Sequence, residues 1–384
     1  MEKQSTYILV LSVVFLSVIG IVMLSSTGAY ASELLRYNDP YYAVKRQGIW
    51  LAAGIVACLL GAIFDYRFWC RYWVLWYLIA CVLLALCFTE SYGLKINGAN
   101  RWIHLGSLRF QPSELARLAV VVALASWFGR FCEKSGSWLH GFLLPLLLLL
   151  PPLVLITFEV DLGCAVLLGT TALTIMFVAG TRLTGLMAIG LSGLGALAWL
   201  IHVVPDRLNR VLAFRNLDDP AVQLGDGYQQ WRALMAFGSG GFDGLGLGGS
   251  IQKMQYLPFA HTDFIMPIIG EELGLKISLL VVVAFVVMTV CGLLIASRAP
   301  DLYGKLLGVG IVCLIANQAV INLGVTTALL PNKGIPLPFV SYGGSNLVCC
   351  LAGVGILINI YRKGIATPRQ TSVAMSRAKL TPRV

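Results

Sequence analysis

From Tyr7 to Ser26 the chain runs without a single charged residue, long enough to cross the hydrocarbon core of a bilayer as a helix. Comparable apolar runs recur to the end of the sequence. They place about ten spans, at roughly 7–27, 47–64, 73–90, 113–130, 140–157, 162–180, 184–203, 265–296, 305–329 and 340–361. The signal is long runs and not ten-residue alternation, which selects helices over a barrel. Composition names the same solvent. Residues are 58% hydrophobic and 12% charged, with a mean hydropathy of +0.81, where a soluble domain carries about 25% charge. The expected fold class is an all-α integral membrane protein. Its membrane domain covers 1–364, with a long loop at about 204–262 between the seventh and eighth spans. A basic, disordered tail is expected over 365–384. The first run is too long for a signal-peptide core and lacks a small-residue cleavage site, so it reads as a retained span.

Lysine and arginine set the orientation. With both termini inside, the inner segments carry 14 basic residues, including Arg67, Arg71, Arg130, Lys134, Arg182 and Arg298. The short outer loops carry 7, including Arg36, Lys45, Arg101, Arg109 and Lys333. Both termini are therefore expected in the cytoplasm, with 91–112, 204–262 and 330–339 on one outer face. The net charge of +10 then reads as a tail lying on anionic membrane lipid. Nucleic-acid binding is excluded, because the basic residues are split between two membrane faces and no aromatic-basic stacking segment accompanies them. Most of the ten cysteines sit in apolar runs without a CxxC pair, as small apolar residues of buried helices do.

Ionisable groups inside spans are costly and mark structure or function. Glu114 and Arg117 lie three apart on one helical face, as an interhelical clip or as the polar wall of a substrate cavity. Gln111-Pro112-Ser113-Glu114 starts that helix well, with proline in the first turn and a carboxylate at the positive dipole end. Trp102, beside Arg101, suits an interfacial anchor or a surface for a lipid-linked substrate. Glu159 and Asp161 flank the next outer turn, either capping a helix or binding a cation. Pro151-Pro152 is expected to kink the fifth span and free carbonyls there. The 204–262 loop carries Arg207, Arg210, Arg215, Arg232 and Lys253, and a glycine-rich stretch over 237–249. Glycine lets backbone amides approach a phosphate, and flexible loops are rich in it too. Arginine adds bidentate phosphate contacts. His261-Thr262-Asp263 opens the eighth span, where a carboxylate either caps the helix or serves as a general base.

Together these segments resemble the SEDS family (shape, elongation, division and sporulation), the group of FtsW, RodA and SpoVE. The matching stretches cover nearly the whole chain. They include Gly98-Ala99-Asn100-Arg101-Trp102-Ile103, Gln111-Pro112-Ser113-Glu114-Leu115-Ala116-Arg117 and Asp161-Leu162-Gly163. Ala260-His261-Thr262-Asp263-Phe264-Ile265, Gly270-Glu271-Glu272-Leu273-Gly274 and Leu337-Pro338-Phe339-Val340-Ser341-Tyr342-Gly343-Gly344-Ser345 follow. Leu330-Pro331-Asn332-Lys333-Gly334 is similar to the division branch, FtsW, whose members carry a lysine before that glycine. Glu159-Val160-Asp161 departs from the usual Gln-Pro-Asp, Arg117 stands where lysine is common, and Pro267 is expected to alter the helix just below Asp263.

The resemblance implies a peptidoglycan glycosyltransferase. It would polymerise lipid II, an undecaprenyl-pyrophosphate-linked disaccharide peptide, at the outer face of the bacterial cytoplasmic membrane, at the division septum. It places the catalytic base at Asp263, an important tryptophan at Trp102 and a buried pair at Glu114 and Arg117. Arg101, Arg210, Lys253, His261, Lys333 and Ser341 are the expected substrate contacts. The chemistry needs one base and cations for a pyrophosphate leaving group, with a divalent metal such as Mg or Mn as a further source of charge. A class B penicillin-binding protein transpeptidase and other divisome membrane proteins are the implied partners. A lipid II flippase and a noncatalytic division scaffold are the competing readings.

Overall fold

The computed structural model describes residues 2–30, 39, 41–96, 99–105 and 108–366. Almost all of the basic tail expected over 365–384, and Gly98 of the first matching stretch, lie outside the described residues.

The helices in chain order are α1 (Glu2–Thr27), α2 (Tyr42–Ile63), the short α3 (Tyr66–Arg71), α4 (Trp73–Leu86), α5 (Pro112–Arg130), α6 (Leu144–Phe158), α7 (Leu162–Val178) and α8 (Leu183–Val203). Three shorter ones follow: α9 (Pro205–Arg215), α10 (Pro220–Leu224) and α11 (Tyr228–Gly240). The last three are α12 (Ile265–Ser297), α13 (Leu302–Thr326) and α14 (Gly344–Ala366). Seven of them, α6 counted with the π-turn Trp138–Leu143 before it, are long and apolar enough to cross a membrane. Three more complete the expected ten: α4 and α7 are apolar but shorter, and α5 carries Glu114, Arg117 and Arg130. One hydrophobic cluster runs through the bundle, with Leu16, Phe128, Leu168, Ile268, Leu307 and Ile360 fully shielded. By contrast α8 is almost wholly exposed, with only Gly185 and Leu186 buried, as for a peripheral helix facing lipid.

Two segments expected as loop are ordered. Three antiparallel strands form in the first, β1 (Gly93–Ile96), β2 (Ala99–Leu105) and β3 (Leu108–Phe110), in the order β1-β2-β3. On β2, Ala99 and Ile103 are buried, on either side of a bulge at Arg101. The 204–262 segment is largely helical, through α9, α10, α11 and the π-turn Gln252–Tyr256.

The prolines do not act where the sequence suggests. Helix α6 continues through Pro151 and Pro152. Pro152 has no N–H for the carbonyl four residues earlier, and the Tyr77 hydroxyl donates to that carbonyl, Leu148 O, at 2.9 Å. Pro267 is the third residue of α12, inside the first turn where backbone N–H groups lack helical partners anyway. The break in α12 is instead at Gly274 (φ 73°, ψ −177°). The glycine-rich stretch is stitched into that break. Leu245 N and Gly246 N donate to the carbonyls of Glu271 and Glu272, each at 2.9 Å, while Leu275 N donates to Gly241 O at 3.0 Å. These bonds satisfy backbone groups that a broken helix exposes.

Opposite ends of the bundle are tied separately. At one end Asp301 accepts from Tyr66 Oη (2.7 Å) and Arg67 (3.0 Å), and Lys363 pairs with Asp65 at 2.8 Å. The sheet, α9–α11 and the 327–343 segment gather at the other, loop-rich end, where Gln47 on α2 donates to Ser341 O at 3.2 Å.

Gly274→Ala is predicted to destabilise the protein by about 2–5 kcal/mol, combining a glycine-only backbone conformation with overpacking. An added Cβ would meet Gly244 N and Phe242 O, each at 2.5 Å. The thermal unfolding midpoint in detergent measures this.

Candidate functional site

Two segments of the loop-rich end meet at the start of α12. Residues 257–264 lead into the helix, and residues 327–343 cross beside them. Ser341 joins the two: its hydroxyl donates to Thr262 O at 2.6 Å and accepts from Leu337 N at 2.8 Å. Tyr342 N adds a bond to His261 O at 3.0 Å. On the α13 side, Asn322 Nδ2 donates to Asp263 O at 2.8 Å and to Ile335 O at 2.7 Å. From α11, Gln230 Nε2 reaches Val325 O (2.9 Å) and Leu330 O (2.8 Å). Phe259, Ala328 and Phe339 all take positive φ without being glycine. Such strain persists only where the surroundings over-determine it, and it gathers at functional sites.

Asp263 is half-buried and its carboxylate lies against Gly334. The neighbouring Lys333 is half-buried as well. Burial, reinforced by Arg210 and Arg207 and opposed by Asp161, lowers the Lys333 pKa from the ordinary lysine range to about 8. Arg207 and Arg210 stand one turn apart on α9, and Arg101 also acts on Lys333. Four cations thus share one region with Asp161 and, through Gly334, with Asp263.

Arg101 has a second duty. Its guanidinium donates to Glu159 O (3.2 Å) and Val160 O (2.7 Å) and stands 3.7 Å from Asp161. It therefore fixes the α6–α7 turn, where Val160 adopts φ 64°. Asp161 caps α7 by accepting from Cys164 N at 3.1 Å. Glu159 is fully buried, and the Cys87 thiol, a weak donor, faces its carboxyl group. Burial, then the charge of Asp161, raises its pKa to about 8. A carboxyl held neutral in this way is nearly isosteric with the glutamine usual at that position.

Several expected substrate contacts have other roles. Lys253 is buried, with its ammonium 2.6 Å from Glu272 and 2.7 Å from the Ser26 hydroxyl, tying α1 to α12. Ser250 donates to the Glu271 carboxylate, which also accepts from Ile251 N at 3.2 Å. His261 is buried against the Tyr342 ring, 5.8 Å between centroids, and burial lowers its pKa to about 4. Ser341 is the buried loop clamp already described. The glycine-rich stretch directs the amides of Leu245, Gly246 and Gly248 to Glu271 and Glu272 at the α12 break and not to an open phosphate site. Trp102 is half-buried on β2, paired with Leu94 of β1 beside a bulge at Arg101.

Glu114 and Arg117 form a buried pair extended by Asn346 Nδ2 to Glu114 (2.9 Å) and by Arg117 to Gln318 Oε1 (3.2 Å). Gln318 Nε2 in turn donates to Pro336 O at 2.8 Å. The adjoining cavity of ≈30 Å³ holds about one water, far below a ligand pocket of roughly 300–1,000 Å³. The clip reading therefore fits the pair, and the substrate-wall reading does not. In the sequence the charges in the spans are conspicuous and the amides that extend the pair are not. Gln318 and Asn322, polar residues in an apolar run, were the available signal.

A model of FtsW/RodA/SpoVE cell cycle proteins matches residues 6–364. A probable peptidoglycan glycosyltransferase FtsW of Geobacter metallireducens is 38% identical over 368 residues, covering 96% of this chain and 97% of the relative. Stage V sporulation protein E of Bacillus subtilis is 37% identical, covering 92% and 96%. Among solved structures, the rod shape-determining protein RodA of Thermus thermophilus superposes with a TM-score of 0.68 at 28% identity, covering 92% and 96%. A chain from a peptidoglycan synthase complex that coordinates polymerization and crosslinking gives 0.74 at 27%, covering 94% and 98%.

Lys253→Met is predicted to cost about 3–5 kcal/mol by leaving Glu272 buried and unpaired, and adding Glu272→Leu to recover most of that loss. Paired melting curves in detergent decide it. Stability unchanged by Lys253→Met would sink the structural role.

Proposed function

The chain belongs to the FtsW/RodA/SpoVE family of cell cycle proteins and is a multi-pass membrane peptidoglycan glycosyltransferase, and from that premise we propose that Asp263 is its catalytic base and that the Arg101, Arg207, Arg210 and Lys333 cluster receives the leaving group. The observation that carries this reading is the placement of a half-buried carboxylate directly beside the loop that bears Lys333.

The substrate is lipid II. Asp263 takes the proton of an acceptor sugar hydroxyl as its oxygen attacks the anomeric carbon of the donor. The bond from that carbon to the pyrophosphate oxygen breaks, and negative charge grows on the departing lipid pyrophosphate. Fixed cations in a partly desolvated site stabilise that charge without reorganising. One carboxylate suffices for a single inverting displacement, unlike the carboxylate pair of retaining glycosidases. The polyprenyl chain stays in the bilayer among the helices.

A divalent cation such as Mg or Mn would supply further charge at the pyrophosphate. No group of three or more His, Cys, Asp or Glu side chains capable of holding a metal occurs among the described residues. Asp263 or Asp161 together with substrate oxygens is the fitting donor set, since Mg is commonly held by one or two carboxylates plus phosphates.

The basic-residue bias supports a loop-rich end facing outward and both termini in the cytoplasm. The Lys333-Gly334 pair supports a septal role in division. The likeness to a chain of a synthase complex that coordinates polymerization and crosslinking supports a transpeptidase partner, a class B penicillin-binding protein, within the divisome.

Polymerisation of purified lipid II, with the partner present and its transpeptidase blocked, tests the reading. Asp263→Asn is expected to lower the rate by about 10²–10⁴-fold. Parental glycan synthesis by a folded Asp263→Asn protein would return weight to a flippase or scaffold. The pH profile gives a second test. Because the Lys333 pKa is lowered to about 8, its charge is present below that pH and lost above it. The rate is expected to fall as pH rises through about 8, and Lys333→Arg to remove that alkaline limb. A limb that survives Lys333→Arg but disappears in Glu159→Gln would assign it to Glu159 instead.

A further inference from the structure

Asn322 is a buried amide on α13, 1% exposed. Its single Nδ2 donates to two carbonyls from segments far apart in sequence, Asp263 O at 2.8 Å and Ile335 O at 2.7 Å. Its Oδ1 is buried with no partner among the described residues. An orphaned buried acceptor costs about 1–3 kcal/mol, so the amide is a poor choice for anchorage alone. One turn earlier Gln318 donates to Pro336 O at 2.8 Å. Two amides on one face of α13 thus hold consecutive carbonyls of the segment that begins at Lys333 and Gly334. On the opposite side the gap is closed by Gly334, where an added Cβ would come within 2.6 Å of Asp263 Oδ2.

We propose that Asn322 is a positioning residue for glycosyl transfer, setting the separation between the Asp263 base and the cationic Lys333 loop by holding both backbones on one amide nitrogen. This inference rests on Asp263 being the base. Base and cations act on opposite ends of one displacement, so their spacing is realised as rate. A misplacement of 1 Å costs about 10²-fold. Substrate binding, spread over many contacts and the lipid tail, is little affected.

The test is lipid II polymerisation by the full chain in the assay above. Asn322→Leu keeps the branched shape and removes the donor. It is expected to lower kcat about 10- to 100-fold while KM for lipid II changes less than about two-fold, the pattern of an interaction made only in the transition state. In an Asp263→Asn background it is expected to cost nothing further. The stability control is Asn359→Leu. That residue is an equally buried amide at the other end of the bundle, bonded to Ala62 O and Tyr66 N, each at 2.9 Å, and its loss should leave kcat unchanged.

A folded Asn322→Leu protein with parental kcat would overturn the inference. So would one that slows the Asp263→Asn background by the same factor as the parent. If Asn322→Leu does not fold, Gly334→Ala decides, since it approaches Asp263 from an exposed loop position: a fall in kcat supports the inference and a parental kcat overturns it. A parental rate for Asp263→Asn would remove the base, and with it the reading on which this rests. Loss of rate in Asp263→Asn beside a parental Asn322→Leu removes only the role of Asn322.

Discussion

Hydrocarbon offers no hydrogen bonds, so every break in a spanning helix must find its partners within the protein. That constraint organises the loop-rich end. Helix α12 breaks at Gly274, and the stretch after α11 folds across the break to take up its freed carbonyls and amides. Fixing that stretch delivers Ser250, whose hydroxyl donates to Glu271, and Lys253, which pairs with Glu272. The same bonds lead the chain to 257–264 and so to Asp263. The glycines that look like a phosphate cradle are therefore scaffolding, and their conformational freedom serves close backbone approach.

The second layer of support comes from within the bundle. The Glu114–Arg117 pair is expensive to desolvate and contributes little net stability on its own. Its value lies in what it orients. Arg117 and Asn346 converge on Gln318 Oε1, which leaves the Gln318 amide nitrogen directed at Pro336 O. An intramembrane ion pair thus reaches the 333–341 loop through one glutamine. Asn322 repeats the device one turn on. Opposing strain makes this bracing necessary: Phe259, Ala328 and Phe339 hold left-handed conformations at about 1–3 kcal/mol each. The clamps of Ser341, Tyr342 and Gln230 are what keep them there.

Much of this was legible in the chain. Ten apolar runs became ten helices within a few residues, because bilayer thickness fixes helix length so tightly. Arg101 and Asp263 stood out as charges beside the membrane, whereas the roles expected of Asp263 and Lys333 came from the resemblance to the SEDS family. The strands β1–β3 were not legible, since short strands with polar neighbours look like any loop. Nor was α9, whose amphipathic helix sits in a segment polar enough to pass as coil. Lys253 was misjudged for a general reason: sequence shows that a cation is present and not which carboxylate is folded against it. The proline positions erred similarly. Whether Pro152 kinks α6 depends on whether another residue, here Tyr77, satisfies the carbonyl it frees.

The balance of charge around Lys333 bears on what the site awaits. In the resting protein Lys253 has Glu272, Lys363 has Asp65, and Lys276 has Asp243. The Lys333 region is built otherwise. Arg101, Arg207 and Arg210 all lower the affinity of Lys333 for its proton, and Asp161 raises it. Asp161 is itself shared with Arg101 and with the α7 cap. Such an excess of cations is unfavourable to the resting fold, because each like charge at short range costs more as the surroundings dry out. A site that keeps this imbalance gains most when an anion arrives, and gains more as that anion's charge grows. A pyrophosphate released from an anomeric carbon is an anion of that kind, so under the proposed function the cost borne in the resting state becomes stabilisation of the transition state.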